Sequence, residues 1–265
     1  MPFIIAGIVL AVAAIGLSFG ARRQRRKLGQ MRAAQTAGAA ELSELSAAVA
    51  KDIGAGSFNQ VTEVKGTIEC GSPLVSELSQ TSCVRYSMSV TREYEESYWE
   101  RDDKGNQVQR TRRGSESVAA NTRSVPFQVR DATGSIEVDP EGASFVDEKV
   151  FSRFEQGSSF RFGGFSLDVG GFMSPGGRRT IGYRFEESVI PVGRQVYVLG
   201  EAVDSGGRLR VRKPGQKGAA FIVSLKSEEE LAKGAGRAAT AFTVGAVVAA
   251  LLAAGALVYG IVAGA

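Results

Sequence analysis

Apolar residues follow three different patterns along this chain. Two uncharged apolar runs, 3–21 and 238–265, bracket everything that is charged. As helices they would extend about 28 Å and about 42 Å, against a hydrocarbon core of about 30 Å. Each therefore predicts a membrane span, the first at 3–21 and the second at 238–263. The second is long enough to tilt or to rest partly in the interface. Between them, the Ala-rich stretch 28–56 places Leu42, Leu45, Val49 and Ile53 at spacings of three and four, a single helical stripe that Gly54 and Gly56 should end. This gives a basic collar and helical linker at 22–56. The helix is either a spacer or a self-association face, so a homo-oligomer through it or through the spans is one expectation.

From Phe58 onward the period shifts toward two. Stretches 61–70, 83–94, 125–129, 135–138, 159–169, 180–190, 195–203, 209–211 and 219–225 read as strands. Turn residues punctuate them, among them Asp131, Gly134, Asp139, Pro140, Pro175, Gly176 and Gly207. Two stretches break the rhythm: 97–121 reads as a long exposed hairpin or loop, and 147–156 as a short helix. The prediction is a mainly β domain at 57–227, an antiparallel sandwich or partly open barrel held between two transmembrane helices. Within it, Val196 and Val198 should point into the core and alternate with Tyr197.

Charge orients the chain. Only Met1 and Pro2 precede the first run, whereas Arg22, Arg23, Arg25, Arg26 and Lys27 follow it. A secretory signal carries its positive charge in front, so this order predicts a retained anchor with a membrane-surface collar on its cytoplasmic side. Lys226, Lys233 and Arg237 precede the second run and no basic residue follows it. Both flanks place the middle domain in the cytoplasm, in a two-span integral membrane protein. The net charge of +4 owes much to the collar, so the bilayer and a protein are the expected partners and nucleic acid is not.

Composition then removes chemistry. There is no His and there are two Cys, which excludes Ser-His-Asp triads, Cys-His pairs and His-based zinc sites. Cys70 and Cys83 read as reduced thiols on strands, or as a disulfide if the topology is inverted. Arg178 and Arg179, after a Gly-rich run, and Arg110, Arg112 and Arg113, near Tyr98 and Trp99, are weak anion or partner candidates. Neighbouring carboxylates such as Glu95 with Glu96, and Glu186 with Glu187, point to opposite faces of a strand and make no catalytic pair. No catalytic residue, metal site or cofactor is expected.

The blocks VKGTIECGSPLVSELSQTSCVRYSMSV (64–90), VPFQVRDATGSIEVDPEGA (125–143), IGYRFEESVIPVGRQVYVLGEA (181–202) and LRVRKP (209–214) resemble the GIDE domain. That domain is the membrane-adjacent module of mitochondrial-anchored RING-type ubiquitin and SUMO ligases. The resemblance implies a β-rich partner-docking module between two spans, and in the mitochondrial members that module faces the intermembrane space. It also implies a RING domain after the second span, with two zinc ions held by Cys and His. This sequence, read to Ala265, has no such set. The chain is therefore expected to be a non-catalytic interaction module, or else part of a ligase assembly whose RING comes from another chain.

Overall fold

The computed structural model describes residues 2–169, 178–205 and 207–262. In chain order these form helix α1 (Pro2–Ala33), β1 (Gln35–Thr36), α2 (Ala39–Ile53), β2 (Asn59–Glu69), β3 (Leu74–Val75), β4 (Ser82–Arg101) and β5 (Gln107–Ser124). Next come β6 (Phe127–Arg130), β7 (Ser135–Val138), β8 (Ser144–Val146), β9 (Glu148–Glu155), β10 (Ser159–Phe162) and β11 (Phe165–Asp168). The chain finishes with β12 (Arg178–Pro191), β13 (Gln195–Ser205), β14 (Arg208–Arg212), β15 (Ile222–Ser224) and α3 (Glu228–Val262).

The domain is mainly β and its centre is a closed barrel. Strands β2, β6, β7, β14 and β13 are hydrogen-bonded in that order, and β13 returns to β2 to close the ring. Every pairing in the ring is antiparallel except β7 with β14, a five-stranded Greek-key barrel of the OB type. One strand has to serve two neighbours. β2 pairs with β13 from Asn59 to Thr67 and with β6 from Thr67 to Glu69. The crossover is possible because a Cβ at Gly66 would lie 2.3 Å from the Arg130 carbonyl oxygen, an approach that only glycine permits. Val64, Ile68, Val129, Ile136, Val138, Val198 and Val211 fill the interior, and Leu42 of α2 joins the same core. Each such side chain contributes on the order of 1.5–3 kcal/mol.

The second sheet grows from two insertions in the barrel. Its order is β3, β4, β12, β9, with β5 also paired to β4. The β10–β11 hairpin supplies Phe160, Phe162 and Phe165, which pack with Phe185 of β12 at ring distances of 4.7–6.3 Å. Stretch 159–169 is thus two strands turned at Gly163 and Gly164, where one was expected. Stretch 97–121 is a hairpin, with Asp102 accepting the Lys104 and Asn106 amide protons in its turn. Stretch 147–156 is strand β9 and not a helix. Its register slips opposite Glu187 and Ser188, so Val150 is an extra residue. The bulge erases the alternation by which a strand is recognised, and pairing with β12 overrides local propensity.

The two terminal helices rise from one side of the barrel. α3 opens with a capping box: the Glu230 amide donates to Ser227 Oγ at 3.3 Å, and the Ser227 amide to Glu230 Oε2 at 3.1 Å. Met31 of α1 and Leu231 of α3 are buried with Tyr197, Leu199 and Ile222 on the outer surface of β13 and β15. β13 is therefore buried on both sides, and Tyr197 is core as fully as Val196 and Val198. The stripe on α2 is only half used. Leu42 is fully buried, Val49 packs at the margin, and Leu45 and Ile53 face solvent.

Candidate interaction surfaces

Beyond Glu96 the β4–β5 hairpin is exposed, and along its outer half the side chains pair across strands. Glu95 accepts from Arg113 Nε at 3.3 Å and Arg179 Nη2 at 2.8 Å. Glu96 accepts from Arg112 Nε at 2.8 Å and Arg178 Nε at 3.1 Å, and Arg110 meets Glu100 at 2.9 Å. Since neighbouring strand residues point oppositely, Glu95 clamps one face of the ribbon and Glu96 the other. The arginine hydrogen bonds hold both carboxyls below the usual carboxylate range. The structure thus brings Arg112, Arg113, Arg178 and Arg179 together around β4, each against a carboxylate. Exposed pairs of this kind add little stability, but they leave a charge-balanced ribbon with Trp99 exposed near its end. Most of the Gly-rich run, 170–177, lies outside the described residues.

A second constellation ties the barrel to the stalk. Glu63 is buried, and accepts from Tyr197 Oη at 3.0 Å, from Thr36 Oγ1 and from Lys65 Nζ at 3.0 Å, while Lys65 also reaches Glu228 at 2.9 Å. Burial would push the Glu63 carboxyl up; the hydrogen bonds and Lys65 outweigh it and hold it low. Sequence reading missed these residues, since a charge inside a strand gives no sign of which face is covered. Cys83 is buried and its thiol is pushed up to about 11, by desolvation and then by the Glu187 charge, which makes it a poor nucleophile. Cys70 is half-buried, and neither thiol forms a disulfide. Among the described residues no three His, Cys, Asp or Glu side chains gather as a metal site would require.

The third surface is the neck. α1 continues through Arg22, Arg23, Arg25, Arg26 and Lys27 and docks on the loop before β15: Arg26 Nη2 donates to the Lys217 carbonyl at 3.4 Å, and Gln30 bonds Gly218 and Ala220. Arg25 Nη2 donates to Thr243 Oγ1 of α3 at 3.0 Å. Beyond the collar α1 and α3 run antiparallel, with Gly20 against Phe242, Leu17 against Gly245, Gly7 against Leu257 and Ile4 against Gly260. Both helices are long and apolar enough to cross a membrane. Their contact face is small, with Ala14, Ala246, Ala249 and Ala253 buried, while Ile8, Val12, Phe19, Val247 and Leu251 face outward. A soluble protein's core helix buries its large residues; this pair has the reverse arrangement.

The GIDE family, described as E3 Ubiquitin ligase, matches residues 95–259. The chain belongs to this family. It is also 28% identical over 127 residues to the E3 ubiquitin-protein ligase SPL1 of Arabidopsis thaliana, covering 46% of this chain and 35% of the relative. The chain thus spans about a third of the length of that curated relative. No solved structure matches it significantly.

Proposed function

We propose that this protein is a two-span membrane protein whose barrel and hairpin sheet form a non-catalytic docking module of a ubiquitin-ligase-related assembly. The observation that carries the reading is the helix pair, small inside and large outside, packed on the barrel through Met31 and Leu231. Lipid provides no hydrophobic drive between helices, so small-residue packing is what a spanning pair uses. The domain lies on the cytoplasmic side, as the five collar cations at the domain end of α1 favour. Its docking surface is the β4–β5 ribbon, where Trp99 is exposed and Arg110, Arg112 and Arg113 are already paired with carboxylates across the strands.

Catalysis belongs to a different part of the assembly. The 265 residues offer two thiols and no imidazole, too few for a RING cross-brace, and the buried Cys83 is held protonated. A second reading, an active ligase component with its RING supplied by another chain, is favoured by the family's description and by the named activity of the Arabidopsis relative. Two experiments test these readings. Ser115→Cys, exposed on β5, should resist an impermeant maleimide in intact cells and react after permeabilisation. Labelling in intact cells overturns the cytoplasmic assignment. Purified protein with ubiquitin, activating enzyme and a panel of conjugating enzymes should yield no conjugates, and conjugates lost in Cys70→Ser or Cys83→Ser would overturn the non-catalytic reading.

A further inference from the structure

Where α1 leaves the barrel there is a cleft of about 750 Å³ whose polar rim carries Arg22, Arg23, Arg26, Lys27 and Lys213. No carboxylate lines it, and none of these five cations has an ion-pair partner among the described residues. Arg110, Arg112 and Arg113 of the hairpin, in contrast, each meet a carboxylate. Lys213 follows β14 and is far from the collar in sequence. It reaches the cleft because its stem packs over Gly142, where a Cβ would stand 2.9 Å from Lys213 Cδ and where φ is +74°. Burial, and then the Arg23 charge, lower the Lys27 pKa. The other wall is apolar, formed by Phe19, Phe221 and Phe242, two of which belong to the helices that continue away from the domain.

We propose that this cleft is a headgroup site for an anionic phospholipid, its phosphate held by Arg23, Arg26, Lys27 and Lys213 and its acyl chains lying along Phe19 and Phe242. The proposal rests on the reading that α1 and α3 span a bilayer. Five unpaired cations call for an anion. The aromatic wall, continuous with the apolar helices, calls for one with a hydrocarbon tail at the level of the membrane surface. A free phosphate would satisfy only the first half. Ordinary attraction of a basic collar to an acidic membrane is diffuse; the packing of the Lys213 stem over Gly142 is what makes this a bounded site.

The test uses the full-length protein in nanodiscs of phosphatidylcholine with a minor share of cardiolipin or phosphatidylglycerol, followed by native mass spectrometry of the lipids retained. Wild-type protein should retain the anionic lipid preferentially, and inorganic phosphate should not displace it. Lys213→Ala, and separately Arg23→Ala with Lys27→Ala, should weaken retention about fivefold for each cation removed, at an unchanged melting temperature. Lys51→Ala, a cation exposed on α2, should change nothing. Equal retention of phosphatidylcholine, displacement by inorganic phosphate, or undiminished retention in Lys213→Ala overturns the site. Extraction at alkaline pH separates the two readings: release of the protein from membranes defeats the spanning reading itself, whereas an integral protein without lipid preference defeats only this proposal.

Discussion

Gly7 of α1 lies so close to Leu257 of α3 that a Cβ on the glycine would stand 2.7 Å from Leu257 Cγ. At the same end of the pair, a Cβ on Gly260 would stand 2.9 Å from Ile4 Cγ1. Gly7→Ile should therefore force the helices apart, with an overpacking cost of about 1–3 kcal/mol. Gly16 has nothing within 4 Å of its virtual Cβ, so Gly16→Ile is the matched control. Disulfide formation between Leu17→Cys and Gly245→Cys reports the packing. It should be efficient in the parent and in Gly16→Ile and fall sharply in Gly7→Ile; equal crosslinking in all three would show that the pair is not held by this contact.

Glu187 gives a pH prediction. The carboxylate is buried, which by itself would raise its pKa, but it accepts from the Leu78 amide at 2.8 Å, the Ser79 amide at 2.9 Å and Ser79 Oγ at 2.6 Å, and the net shift is downward. A carboxyl depressed in the folded state contributes stability that is complete above its ordinary value of 4.5 and lost as pH falls through the lower folded value. The β3–β4 loop should thus loosen in acid. Glu187→Gln should cost about 1–3 kcal/mol at neutral pH by setting an amide donor against donors, and it should flatten the acid limb of the melting-temperature curve. An unchanged acid limb would assign that limb to other carboxyls.

Much of the fold is written in alternation, and the exceptions have physical causes. Val196 and Val198 read correctly as core, but Tyr197 is equally buried because the ends of α1 and α3 cover the outer face of β13, and alternation along one strand cannot register a cover supplied from elsewhere. The bulge at Val150 hid β9. The hairpin arginines were visible as a cluster, whereas their pairing through Glu95 and Glu96 depends on β4 lying between β5 and β12, a long-range arrangement. Lys213 gave no local signal at all, since only closure of the barrel brings it to the collar.

Helix α2 depends on a turn remote from it in sequence. Its N-cap, Gly38, offers no side chain; the Ala39 amide donates instead to Asp131 Oδ2 at 2.8 Å and the Ala40 amide to Thr133 Oγ1 at 3.1 Å, both in the β6–β7 turn. Loss of a cap costs about 0.5–2 kcal/mol. Asp131→Ala should cost this and also release the turn, because Asp131 Oδ1 accepts the Thr133 and Gly134 amides. Hydrogen exchange should then speed up in α2 and the β6–β7 turn ahead of the rest of the barrel. Uniform acceleration would mean that α2 is held by Leu42 alone.

The last prediction concerns which piece of the chain folds by itself. A fragment of residues 57–227 has every barrel strand yet lacks Leu42, Met31 and Leu231. Without Met31 and Leu231, Tyr197, Leu199 and Ile222 lose the cover that buries them, and without Leu42 the barrel core loses a fully buried side chain. Each lost contact forfeits on the order of 1.5–3 kcal/mol, a large share of the 5–15 kcal/mol typical of a folded domain. A fragment of residues 28–237 keeps all three residues and leaves out most of the apolar spans. It should melt cooperatively with a mixed β and helical circular dichroism spectrum, while 57–227 should melt well below it and bind an apolar dye through the bared face of β13. Equal melting temperatures would show that the stalk only rests on the barrel, and would remove the packed seating on which the membrane-surface placement of the docking ribbon depends.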